Sequence, residues 1–101
     1  RPRAMEVASR FFHPDETCWL RSLDDDARDD AFFRLWCAKE AVLKAHGQGL
    51  SFGLHRLRFA ADGARLQLVE CDASLGRADD WRLHDWQPQP GYHAALAWRP
   101  R

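Results

Sequence analysis

Lys39, Glu40 and Lys44 stand close together in a stretch, Phe32 to His46, that otherwise reads as an apolar helix. At 3.6 residues per turn, Phe32, Leu35, Trp36 and Leu43 fall on one stripe, and the three charged residues fall on or beside it. A core-facing stripe normally excludes such groups, because a buried charge without a partner is costly. Ionisable groups among aromatics are therefore candidates for a site. A carboxylate on a rigid helix can ligate a hard cation, and an ammonium can meet a phosphate as a point charge. The competing structural account is a lysine and a glutamate snorkelling at the edge of an ordinary amphipathic helix, and helical spacing alone favours it slightly.

The run Trp36-Cys37-Ala38-Lys39-Glu40-Ala41-Val42-Leu43-Lys44, followed by Gly47-Gln48-Gly49-Leu50, shifts that balance. It resembles the W-x-x-K-E-x-x-x-K signature of the 4'-phosphopantetheinyl transferases and the G-x-G-L turn that follows it. Arg10-Phe11-Phe12 and Glu16 resemble the upstream R-F-F…E segment, and Gly91 to Ala97 resembles the closing strand. The matches span essentially the whole chain in order. The pattern from Trp36 to Lys44 is specific; the flanking pieces are weak alone.

The resemblance implies transfer of the 4'-phosphopantetheine arm from coenzyme A to a serine of an acyl or peptidyl carrier protein, with Mg2+ as the metal. Glu40 then matches the glutamate that ligates magnesium and helps deprotonate the serine. Lys44 matches the lysine near the pyrophosphate, a catalytic and cofactor-binding position. Lys39 matches the lysine expected near the coenzyme A phosphates. The protein's tasks in such a reaction are to place the reactants and to neutralise phosphate charge. For Glu40 the alternative is an i,i+4 surface pair with Lys44; for Lys39 it is a solvated helix lysine. Trp36 is expected to pack the helix against the sheet. Arg10 and Glu16 are expected to pair at the surface. A basic rim from Arg1, Arg3 and Arg10 would steer an acidic carrier.

The family also has a second metal-binding element, an Asp-x-Glu strand upstream of the R-F-F segment, and nothing before Arg10 supplies it. The chain therefore resembles the C-terminal half of the larger, surfactin-type enzymes, in which two similar halves enclose the site. The N-terminal half is absent, and the chain alone is not expected to be active. It would leave an apolar face exposed and associate with the missing half or with itself. The alternative function is a non-catalytic domain that keeps the fold and binds carrier proteins or another partner.

The elements that must position these residues follow from pattern. At 101 residues the chain is read as one domain, 1–101. Residues Ala4 to Phe12 read as a short helix. Pro14 suits the first turn of a second helix running to about Leu23 and burying Trp19, Leu20 and Leu23. The acidic segment Asp24 to Asp30 is expected as a loop before the third helix. After Leu50 the period becomes alternating: Leu57 and Phe59, then Leu66 and Leu68 across an Asp62-Gly63 turn. Cys71 to Asp80 is polar and loop-like. Trp81, Leu83 and Asp85 then alternate, Pro88 and Pro90-Gly91 interrupt, and Tyr92 to Trp98 closes the chain. The expected fold is α+β, with N-terminal helices on a mainly antiparallel sheet.

Composition narrows the class. Net charge is zero, with 15 basic and 15 acidic residues, which does not suit a nucleic-acid binder. Three cysteines with no close spacing fit neither a disulfide framework nor a zinc site and suit a reduced, cytoplasmic setting. No apolar run is long enough to span a bilayer.

Overall fold

The computed structural model describes the chain apart from residues 1, 2, 48, 50, 51 and 101. The expectations placed on Arg1, Gln48 and Leu50 lie outside the described residues. Three α-helices come first: α1 (Ala4–Phe11), α2 (Pro14–Arg21) and α3 (Asp25–His46). Four strands follow: β1 (Leu57–Asp62), β2 (Arg65–Cys71), β3 (Arg82–Gln89) and β4 (Tyr92–Trp98). The α+β expectation holds.

Local chemistry explains the helix boundaries. Pro14 starts α2, where its missing N–H is not needed. His13 caps that helix: its Nδ1 accepts from the Asp15 N–H at 3.0 Å, while Glu16 accepts from the His13 N–H at 3.1 Å. The Asp24–Asp30 segment is not a loop. Asp24 caps α3 by accepting the Ala27 N–H at 3.0 Å, and the acidic residues after it form the first turns. Carboxylates favour the positive end of the helix dipole. Arg28 ties those turns back by donating to the carbonyls of Leu20 and Leu23. At the far end Gly47 adopts a left-handed conformation, φ 85°, and its N–H satisfies the last carbonyls of α3.

The strands pair as two separate antiparallel hairpins, β1–β2 and β3–β4, rather than as one meander. Gly63, at φ 61°, opens the two-residue turn between Asp62 and Arg65. Leu57, Phe59, Leu66 and Leu68 point into the core, as their alternation predicts. The linker from Cys71 to Asp80 is more than a polar loop. It forms two short 3-10 turns and buries Leu75 completely, and the following Trp81 donates its indole N–H to the Leu75 carbonyl at 2.9 Å. β2 packs against the Ala78–Asp80 turn as well as against β3. β3 runs on through Pro88, where the register with β4 shifts, since proline cannot donate to a ladder.

α3 is the spine of the fold. It packs on the inner face of β3–β4, where Ala97 is buried, and meets α1 and α2 on its other side. Across the β3–β4 ladder His84 lies opposite Leu96, and Trp86 opposite Ala94, on the outer face. There Trp86, Leu96 and Trp98 remain exposed, as does Tyr92. Large apolar side chains thus lie exposed on this face.

Candidate active site

Glu40 and Lys44 lie one turn apart on α3, Glu40 half-buried and Lys44 exposed. Their spacing permits an ion pair, yet neither forms a hydrogen bond or ion pair with another described residue. A carboxylate and an ammonium thus stand one turn apart on the same helix, their polar atoms uncommitted among the described residues. Glu40 is felt electrostatically one turn earlier. Burial raises the Cys37 thiol pKa, and the nearby Glu40 charge raises it further.

Lys39 points elsewhere, since successive helix residues diverge by about 100°. Its side chain is wholly buried. The ammonium contacts the Glu16 carboxylate at 2.7 Å and donates to the carbonyls of Leu54 at 2.7 Å and Leu57 at 2.5 Å. It also faces the rings of Phe12 and Phe59. Burial lowers its pKa, opposed by attraction from and hydrogen bonding to Glu16. All three protons of the ammonium have partners inside the fold. In this structure the side chain expected near the coenzyme A phosphates is closed off inside the fold.

Glu16 was expected at the surface and is instead 1% exposed. Besides Lys39 and the His13 N–H, it accepts the Phe59 N–H of β1 at 2.7 Å. The sequence carried a signal for this. Glu16 precedes Leu20 by four residues and Leu23 by seven, which is the packing face of α2.

Other expectations resolve differently. Trp36 is half-buried and packs toward the helices, its ring centroid 6.4 Å from Phe12 and 6.2 Å from Phe32. Arg10 is exposed and lies over the Phe11 ring. Sequence reasoning missed a polar clamp between α3 and the second hairpin. Arg34 pairs with Asp85 and donates to the Ala64 carbonyl at 2.6 Å. His93, on β4, meets Asp30 at 2.8 Å, and Gln87 donates to the same carboxylate at 3.1 Å. These partners are thirty to sixty-three residues apart, beyond the reach of local pattern.

Magnesium prefers several oxygen ligands in near-octahedral array. Among the described residues no three His, Cys, Asp or Glu side chains converge on one point. Glu40 would offer a single hard ligand, so the described residues do not by themselves make a magnesium site. Among the same residues no helix is long and apolar enough to cross a membrane.

A sequence model of the 4'-phosphopantetheinyl transferase superfamily matches residues 1–97. The chain is 36% identical, over 97% of its length, to a putative 4'-phosphopantetheinyl transferase of Synechocystis. It is 36% identical over 94% of its length to the 4'-phosphopantetheinyl transferase HetI of Nostoc. It is 41% identical over 95% to the 4'-phosphopantetheinyl transferase Sfp of Bacillus subtilis. It spans only about two fifths of these relatives: 41%, 39% and 42% of their respective lengths. No solved structure matches. With the signature residues on one rigid helix and the family match running over nearly the whole chain, this protein belongs to the 4'-phosphopantetheinyl transferase superfamily.

Proposed function

We propose that this chain forms part of an enzyme that transfers the 4'-phosphopantetheine arm of coenzyme A to a serine hydroxyl of an acyl or peptidyl carrier protein. The observation that carries the reading is the pair Glu40 and Lys44, adjacent on α3 and uncommitted within the described chain. In this reaction the serine oxygen forms a bond to the phosphorus bearing the pantetheine arm. The pyrophosphate P–O bond breaks, and adenosine 3',5'-bisphosphate leaves with the electron pair. Lys44, exposed near the end of α3, neutralises charge on the pyrophosphate and its leaving group. Glu40 would offer one oxygen to a magnesium ion, which would neutralise phosphate charge, and would assist removal of the serine proton. The ion's remaining ligands would have to come from the phosphates and from residues outside this chain, so the chain alone would be inactive. The exposed face of Trp86, Leu96 and Trp98 supports docking of the rest of the site or self-association. The three free cysteines support a cytoplasmic setting.

The test is the intact mass of an apo-carrier protein incubated with coenzyme A, magnesium and either this chain or its full-length parent. Glu40→Gln versions run alongside. The expected result is a phosphopantetheine mass gain with the parent, its loss with Glu40→Gln, and no gain with this chain alone. A parent that binds carrier but never modifies it would overturn the reading in favour of a non-catalytic carrier-binding domain.

A further inference from the structure

We infer that the buried Glu16–Lys39 pair is a positioning device that sets the roll of α3, and with it the aim of Glu40 and Lys44, and that Lys39 does not contact substrate. This rests on the function proposed above. The pair joins three parts of the fold: α2 through Glu16, α3 through Lys39, and β1 with its preceding turn through Phe59, Leu54 and Leu57.

Apolar packing seats this helix through Phe32, Leu35 and Leu43 and the smaller Ala31, Ala38 and Val42, but hydrophobic burial is non-directional, unlike a set of directed polar contacts. The pair is directed. Lys39 has three protons and three oxygen partners, and Glu16 accepts from Lys39, the His13 N–H and the Phe59 N–H. The choice of residue fits the geometry as well. Only two of the fifteen basic residues are lysines, and both lie on α3. An ammonium can spread three protons toward acceptors converging from different elements, whereas a planar guanidinium cannot.

The lever is short. Glu40 is the next residue after Lys39, and side-chain tips lie about 5–6 Å from the helix axis, so a roll of about 10° moves its carboxylate by about 1 Å. A misplacement of that size costs about 10²-fold in rate.

Two measurements test the inference. The first is lysine-selective acylation of the folded protein, resolved by site in a mass spectrometer. Lys44 is expected to label and Lys39 to resist until urea unfolds the chain. Labelling of Lys39 at the rate of Lys44, slowed by coenzyme A, would overturn the inference. The second is steady-state kinetics of the full-length enzyme carrying Glu16→Gln, Lys39→Met or both. Each single change is expected to lower kcat by about 10²-fold with the KM for coenzyme A nearly unchanged, and the double to be no worse than the poorer single. A Lys39→Met enzyme whose KM for coenzyme A rises about tenfold or more, with Glu16→Gln unaffected, would make Lys39 a phosphate ligand and sink the proposal. Should the single variants fail to fold, the charge-free double variant carries the same kcat-against-KM test. If the wild-type enzyme transfers nothing, the proposed function falls and the positioning role with it; resistance of Lys39 to acylation would then leave a purely structural ion pair.

Discussion

Lys39→Met should be among the most damaging single changes in this core, and its effect can be worked from the contacts. Methionine keeps most of the stem but removes the ammonium, and with it the cation–π contacts to the rings of Phe12 and Phe59. The Glu16 carboxylate, fully buried, keeps the N–H groups of His13 and Phe59 but loses its countercharge. The carbonyls of Leu54 and Leu57 lose their donor. Removing one partner of a buried ion pair costs about 3–5 kcal/mol. A domain of this size has roughly 5–15 kcal/mol in all. With a urea slope of about 1.5 kcal/mol/M, the unfolding midpoint falls by roughly 2–3 M. Tryptophan fluorescence in a urea titration reads this directly, since the chain holds five tryptophans. The Glu16→Gln/Lys39→Met double variant should regain much of the loss, because no lone charge remains buried. Lys44→Met, an exposed control on the same helix, should stay within about 0.5 kcal/mol. A Lys39→Met loss below about 1 kcal/mol, the scale of an exposed ion pair, would refute the reasoning.

Arg34→Met should loosen the second hairpin from α3, because Asp85 and the Ala64 carbonyl lose their shared donor. Hydrogen bonds to charged groups are worth about 1.5–3 kcal/mol, so amide exchange across residues 82–98 should accelerate about tenfold or more; unchanged protection there would show that Arg34 is not a clamp. The outer face of β3–β4 should drive association of this chain, read as a concentration-dependent sedimentation coefficient that Leu96→Lys lowers. A monodisperse monomer over the whole range would count against a partner surface there.

Much of the fold was legible in local pattern. The alternation of Leu57 with Phe59, and of Leu66 with Leu68, reports a strand with one wet face, and the structure buries all four. The stripe through Phe32, Leu35 and Leu43 likewise reports the buried side of α3. The acidic run Asp24 to Asp30 misled, because acidic residues suit both a solvated loop and a helix N-terminus. The cap from Asp24 and the reach of Arg28 to α2 decided for helix. The linker misled in the same way. Leu75 is the one large aliphatic residue in a polar segment, and only the tertiary packing makes it core.

The candidate site divides along the same line. By itself the sequence determined which residues stand at helical spacing in the signature, and hence that Glu40 and Lys44 share a face one turn apart. That is a matter of chain geometry, which neighbours in sequence settle among themselves. Only the tertiary structure decided that Lys39, beside Glu40 and carrying the same charge as Lys44, faces the core. Its partners are Glu16 and the carbonyls of Leu54 and Leu57, brought in from the preceding helix and from the turn ahead of β1. A charge at a helical position reads alike whether it meets solvent, a phosphate or a buried carboxylate. The distinction lies in what the rest of the chain places opposite it, and the free energy of desolvation makes that placement decisive.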